Sequence, residues 1–191
     1  MSKYKPYKSI NLSDAKNVDS ILESGVLSKF LATYSDEFYG GHYIQELEKA
    51  FIEKFEVKHA ISVNSWTSGL IIAVGSLDIE PGDEIITTPW TMSATAMAIL
   101  HFNAIPIFCD IDERTYNIDV SKVEALITPR TKAILSVDIF GQSADTNQLN
   151  RIAAKHNIKV ISDTAQAITA KRDSKFAGTL TDIGGYSLNR H

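Results

Sequence analysis

The sequence predicts an α/β fold, a three-layer α/β/α sandwich built on a mainly parallel sheet. Three observations carry this prediction. From residue 44 onward, stripes of helical period alternate with short apolar runs. The connections between them are only a few residues long. Runs such as Ile85-Ile86 and Val160-Ile161 are apolar at consecutive positions, as strands buried on both faces are. Ligands of such sheets sit near the carboxyl ends of the strands.

The elements follow in order. Ile44, Leu47, Phe51 and Phe55 repeat at three and four residues among Gln, Glu and Lys, which predicts an amphipathic helix. Ala60-Ile61-Ser62-Val63 reads as a short strand, and Leu70 to Leu77 as a helix stopped by the turn signal Pro81-Gly82-Asp83. The same unit recurs: Glu84 to Thr88 a strand, Ser93 to Phe102 a helix, Ile105 to Cys109 a strand. Val120 to Ile127 is a short helix, Ala133 to Val137 a strand, Asp145 to His156 a helix, and Lys159 to Ser162 a strand. The first 40 residues are less regular, and Gly40-Gly41 marks a joint. An N-terminal segment over 1–40 and a large α/β domain over 41–191 are therefore expected. No repeat, low-complexity tract or linker interrupts them.

Composition narrows the function. Of 191 residues 44% are hydrophobic and 22% charged, and 23 acidic against 19 basic side chains leave a net charge of −4. That is globular composition. A mildly acidic chain without a block of Lys or Arg gives no electrostatic footprint for nucleic acid or an anionic membrane, so neither is expected as a partner. The single cysteine, Cys109, cannot pair within the chain, and the first residues lack the apolar core of a secretory signal, which together suggest the cytoplasm. The five histidines, His42, His59, His101, His156 and His191, are scattered, and no protein-built metal site is expected.

Three places can carry chemistry. Asn64-Ser65-Trp66-Thr67-Ser68-Gly69 lies between a strand and a helix, where free backbone N–H groups and two hydroxyls suit a phosphate, although Ser and Thr also serve as plain N-caps. It lacks the Gly-x-Gly-x-x-Gly of dinucleotide folds and the Gly-Lys-Ser/Thr of a P-loop. Asp163-Thr164-Ala165-Gln166 follows a strand directly, so Asp163 and Gln166 either face a ligand or, for Asp163, cap a following helix. Asp110-Ile111-Asp112 is either a metal-holding carboxylate pair or a solvated turn.

The run Val63-Asn64-Ser65-Trp66-Thr67-Ser68-Gly69-Leu70, then Pro81-Gly82-Asp83-Glu84, then Thr88-Pro89-Trp90-Thr91-Met92 with Ala94-Thr95-Ala96, resembles the DegT/DnrJ/StrS sugar aminotransferases. Asp110-Ile111-Asp112, Tyr116-Asn117-Ile118-Asp119, Thr128-Pro129-Arg130-Thr131-Lys132-Ala133, Phe140-Gly141-Gln142 and Asp163-Thr164-Ala165-Gln166-Ala167 follow in the family's order and spacing. The likeness runs from about Leu12 to His191.

This resemblance implies a pyridoxal 5′-phosphate enzyme of fold type I, of which the chain is the large domain without the family's small C-terminal one. It implies that Trp66, by its backbone, and Thr67 hold the cofactor phosphate, with Ser187 a further phosphate ligand. Met92 falls where the family stacks an aromatic side chain on the pyridine ring, Asp163 on the partner of the ring nitrogen, and Gln166 beside the ring hydroxyl. A carboxylate at the ring nitrogen keeps it protonated, so the ring can accept the electron pair released when a substrate Cα–H bond breaks. Two residues depart from the family pattern, which commonly has Gly in place of Trp66 and an aromatic in place of Met92.

The family's Schiff-base lysine follows the phosphate-binding serine by five positions, which from Ser187 is position 192, just past His191. A fragment of a longer protein is therefore expected. The implied reaction moves an amino group from an amino acid, glutamate in the family, to a keto-sugar, often nucleotide-linked, in a homodimer with the site at its interface. Two rivals are a dehydratase on the same fold, with histidine replacing the lysine, and a non-catalytic member that binds cofactor or sugar to regulate something else. Tyr34 to Gly41, with its aromatics and glycines, is a candidate for sugar contact or an ordinary loop.

Overall fold

The computed structural model describes residues 12–26, 29–30 and 33–189. Two compact units divide the chain, Met1–Ser62 and Val63–His191.

The first unit contains α1 (Leu12–Ser24) and α2 (His42–Phe55), with a 3-10 turn at Asp36–Tyr39. The stripe from Ile44 to Phe55 forms α2 as predicted, starting two residues earlier, with Phe51 and Phe55 rings 5.1 Å apart. The helix stops at Glu56, which adopts a left-handed conformation with φ of 55°. α1 lies in the stretch that had read as less regular. The Tyr34 to Gly41 segment exposes its aromatics, with Tyr34 82% exposed.

The predicted strand Ala60–Val63 does not form, and this corrects the sequence reading. Ile61 is 81% exposed, and the backbone N–H and hydroxyl of Ser62 are both taken by Glu48 Oε1 of α2, at 2.8 and 2.9 Å. A strand exists only where a neighbouring strand accepts its backbone groups, and here a side chain has that place.

The second unit is a parallel sheet between helices. Its elements are α3 (Trp66–Gly75), β1 (Glu84–Thr87), α4 (Ser93–Leu100), β2 (Ile105–Phe108), α5 (Val120–Val123), β3 (Thr131–Val137), α6 (Thr146–His156) and β4 (Lys159–Asp163), then the hairpin β5 (Lys171–Arg172) with β6 (Lys175–Phe176), and β7 (Ile183–Gly185). Across the sheet the order is β2-β1-β3-β4-β7, with every neighbouring pair parallel.

Alternation along the strands separates two cores. Ile85, Ala133, Leu135 and Ile161 point to one face, where Leu70, Ala73 and Val74 of α3 and Ala98 and Ile99 of α4 cover them. Ile86, Ile134 and Val160 point to the other, under Val123 of α5 and Leu149 and Ala153 of α6. Each fully buried Ile, Leu or Val among them contributes about 1.5–3 kcal/mol of transfer free energy. That explains why the central strands read as unbroken apolar runs: consecutive residues serve opposite cores. Edge strand β2 is half-exposed and tolerates Pro106.

Three features were not anticipated. β7 is only Ile-Gly-Gly, too short to show a pattern. The β5–β6 hairpin turns through Asp173 and Ser174, both at positive φ (49° and 66°), the geometry of a two-residue turn. Val120 to Ile127 begins as α-helix and ends as a 3-10 turn, Glu124–Leu126.

Candidate functional site

Parallel strands deliver their carboxyl ends to one edge of the sheet, and the predicted site residues gather there. Asp163 is the last residue of β4 and is 4% exposed. No helix follows it, so the capping alternative falls away. Its Oδ1 accepts hydrogen bonds from Trp66 Nε1 at 2.7 Å and from the backbone N–H of Ala165 at 3.2 Å. Its Oδ2 accepts from Thr95 Oγ1 at 2.8 Å, and Thr95 in turn shares a 2.8 Å hydroxyl contact with Thr91. A carboxylate so buried persists because these donors replace its hydration, each such charge-assisted bond contributing roughly 1.5–3 kcal/mol.

α3 starts at Trp66, with Ser65 as its cap: the Ser65 hydroxyl accepts from the N–H of Ser68 at 3.2 Å. The capping reading of this motif is thus met by Ser65, which leaves Thr67 exposed on the first turn. The Trp66 ring folds back over β7. A Cβ built on Gly185 would overlap ring carbons Cζ3 and Cη2, and one built on Gly69 would overlap Cε3 and Cζ3. Both glycines therefore stand where only a hydrogen fits, and the indole has a fixed seat.

Met92 is the residue before α4, 64% exposed, one turn from Thr95. Gln166 is half-buried, and its Oε1 accepts from the N–H of Phe140 at 3.1 Å, which holds Phe140 in a left-handed conformation with φ of 53°. Ser187 lies two residues beyond β7, its hydroxyl accepting from the N–H of Asn189 at 3.1 Å. Thr95 and Thr91 were missed by sequence reasoning, because nothing in Ala94-Thr95-Ala96 distinguishes a hydroxyl turned toward the sheet from one turned to water.

A second buried acid stands beside the first. Asp138, next after β3, accepts from the N–H of Ala144 at 2.8 Å and from Thr164 Oγ1 at 2.7 Å. Burial pushes its carboxyl above the usual range, and the neighbouring Asp163 adds to the push. Its bonds tie the turn after β3 to the turn after β4. The Asp110–Asp112 pair does turn work: Asp110 accepts from the N–H of Ile111 and from Lys122 Nζ, and Asp112 from the N–H groups of Arg114 and Thr115. Among the described residues, no group of three or more His, Cys, Asp or Glu side chains is placed to hold a metal.

The donor set suits a phosphorylated aromatic cation. Asp163 presents about four acceptor positions, three of which are taken, leaving one for a ring N–H. The exposed start of α3, with Thr67, offers hydrogen-bond donors and the positive helix end to a phosphate.

Comparison with known proteins identifies the family. Residues 28–190 match the DegT/DnrJ/EryC1/StrS aminotransferase family. The spore coat polysaccharide biosynthesis protein SpsC of Bacillus subtilis is 40% identical over 179 residues, 94% of this chain and 43% of SpsC. The UDP-N-acetyl-3-dehydro-alpha-D-glucosamine 3-aminotransferase of Acidithiobacillus ferrooxidans is 43% identical over 132 residues, 69% of this chain and 36% of that protein. The crystal structure of E. coli GDP-4-keto-6-deoxy-D-mannose-3-dehydratase with bound hydrated PLP superposes with a TM-score of 0.82 at 26% identity, covering 94% of this chain and 45% of that one. The chain thus spans less than half the length of the proteins it matches. On the family match across most of its length, the chain belongs to the DegT/DnrJ/EryC1/StrS aminotransferase family.

Proposed function

We propose that this chain is the cofactor-binding part of a pyridoxal 5′-phosphate-dependent sugar aminotransferase, the large domain over 41–191, which moves an amino group from an amino acid, glutamate by the family's habit, to a keto-sugar carried on a nucleotide. The observation that carries the reading is Asp163: a buried carboxylate at the end of β4, fixed from both sides by Trp66 and Thr95, in a chain of this family. The relatives' names support the substrate class, since one is a 3-aminotransferase of a UDP-linked 3-dehydro sugar.

When bound, the cofactor supplies an electron sink for the pair released at the substrate Cα. The chain's own residues do the rest. Asp163 would hold a proton on the ring nitrogen. Thr67, Ser187 and the backbone at Trp66 would bind the phosphate. Met92, polarizable and exposed, would pack on the ring. Gln166 uses its free amide N–H₂ beside the ring hydroxyl while its oxygen steadies Phe140. A homodimer working in the cytoplasm completes the proposal, the partner subunit supplying part of the sugar site. Among the described residues, no helix is long and apolar enough to cross a membrane.

The test is an absorbance spectrum of the purified full-length protein before and after glutamate, then borohydride reduction and peptide mass mapping past His191. A cofactor band that shifts with glutamate, and cofactor mass fixed to a lysine at position 192, are the expected results. Bound cofactor without a covalent lysine adduct turns the reading to the dehydratase, and absence of any cofactor binding removes it.

A further inference from the structure

Tryptophan at the first position of α3 does more than offer its backbone. Three facts belong together: the Trp66 indole N–H lies 2.7 Å from Asp163 Oδ1, its six-membered ring covers Gly185 of β7, and the same ring covers Gly69 of its own helix. Glycine inside a helix costs roughly 0.5–1 kcal/mol relative to alanine, and glycine inside a strand forfeits packing. Both costs are explained if the ring needs the room. The indole also packs against the core on the α3–α4 face. A ring held by two such contacts and a charge-assisted bond is a wall of the site.

The direction of the bond matters. Trp66 Nε1 and the N–H of Ala165 occupy Oδ1, and Thr95 Oγ1 occupies Oδ2. A carboxylate gripped on both oxygens cannot rotate, so its remaining acceptor position points one way. We propose that Trp66 is a positioning residue: its indole N–H, with Thr95 opposite, locks the Asp163 carboxylate so that its free lone pair meets the nitrogen of the cofactor ring. The inference rests on the reading that Asp163 faces that nitrogen. In this role Trp66 stays in its seat whether or not the cofactor is bound.

The experiment compares full-length wild type with Trp66→Phe, Asp163→Asn and the double variant, by titrating cofactor-free protein with pyridoxal 5′-phosphate and following its absorbance. Phe removes the donor together with part of the fused ring that lies on the two glycines, the Asp163→Asn background separates these two losses, and thermal unfolding verifies the fold. Expected is a loss of cofactor affinity of about fivefold or more in Trp66→Phe, shrinking to less than about twofold when Asp163 is already Asn, because the N–H acts through the charged carboxylate. Equal losses in both backgrounds would mean that the indole acts through packing, and overturn the proposal. So would tighter binding in Trp66→Phe, which would show the indole competing with the cofactor for Asp163. Wild type that binds no pyridoxal 5′-phosphate overturns both this inference and the function beneath it, whereas normal wild-type binding with an indifferent Trp66→Phe overturns the inference alone. If Trp66→Phe does not fold, the ultraviolet Raman marker of indole N–H bonding in wild type decides: a bond retained on cofactor addition supports the proposal, and its loss overturns it.

Discussion

Glu84 shows how a charged residue can open a buried strand. It is the first residue of β1 and 3% exposed, yet its Oε1 accepts from Arg130 Nε at 3.1 Å and Nη2 at 2.6 Å, and its Oε2 accepts from the Thr128 hydroxyl. The Thr128 hydroxyl, then the Arg130 hydrogen bond, hold its carboxyl below the ordinary value of 4.5. A depressed carboxylate adds stability that is complete above its unfolded value and drains away as pH falls through the folded one. Urea unfolding of the full-length protein should therefore show Glu84→Gln to be less stable than wild type at neutral pH, with the gap narrowing as pH falls below the ordinary value of 4.5 and through the lowered folded one. A gap that stays constant with pH would mean that Glu84 contributes by shape and not by charge. The motif Thr128-Pro129-Arg130 was visible in the sequence, but its use as a clamp on the strand start was not, since 44 residues separate Thr128 from Glu84.

Elements were legible in proportion to how much of their environment lay within themselves. The stripe of α2 and the apolar runs of β1, β3 and β4 announce their own burial, and each formed close to the predicted bounds. Ala60–Val63 and β7 failed in opposite senses for one reason: pairing is decided by a neighbour the segment does not contain. Ile-Gly-Gly has no strand pattern, yet it pairs with β4 from Ile183 to Gly185. Its glycines are set by what lies against them. A Cβ on Gly184 would strike the backbone carbonyl of Gly178, whereas the atoms nearest one on Gly185 belong to the Trp66 ring. Backbone cannot give way as a side chain can, so the two should behave differently. Gly185→Ala should destabilise by about 1–3 kcal/mol, and much of that should return in the Trp66→Gly background, while Gly184→Ala should not be rescued. Thermal unfolding of the single and double variants measures both, and rescue of Gly184→Ala by Trp66→Gly would show that the ring, not the Gly178 backbone, sets this strand.

At the scale of the whole unit, the sheet is shared but the site is not. The site residues named above come from α3, α4 and the residues just before it, the end of β4, and the turns after β3, β4 and β7; α5 and α6, on the opposite face, contribute none. Leu70 of α3 and Leu149 of α6 are both fully buried, one on each face. Truncating either to alanine leaves a cavity worth about 2–5 kcal/mol, and because both cores lean on the same strands, either variant should lower a single unfolding transition. Their effects on the cofactor should part company. Leu70 lies one turn beyond Trp66, so loss of its packing loosens the helix that carries Thr67 and the indole bonded to Asp163 Oδ1. Leu149 sits under strands whose carboxyl ends stay fixed by Asp138. In the full-length protein Leu70→Ala should weaken pyridoxal 5′-phosphate binding by about threefold or more, and Leu149→Ala by less than about twofold, at similar loss of stability. If binding instead tracked stability alone, falling equally for both, the two faces would be mechanically one body and α3 would hold no privileged grip on the site.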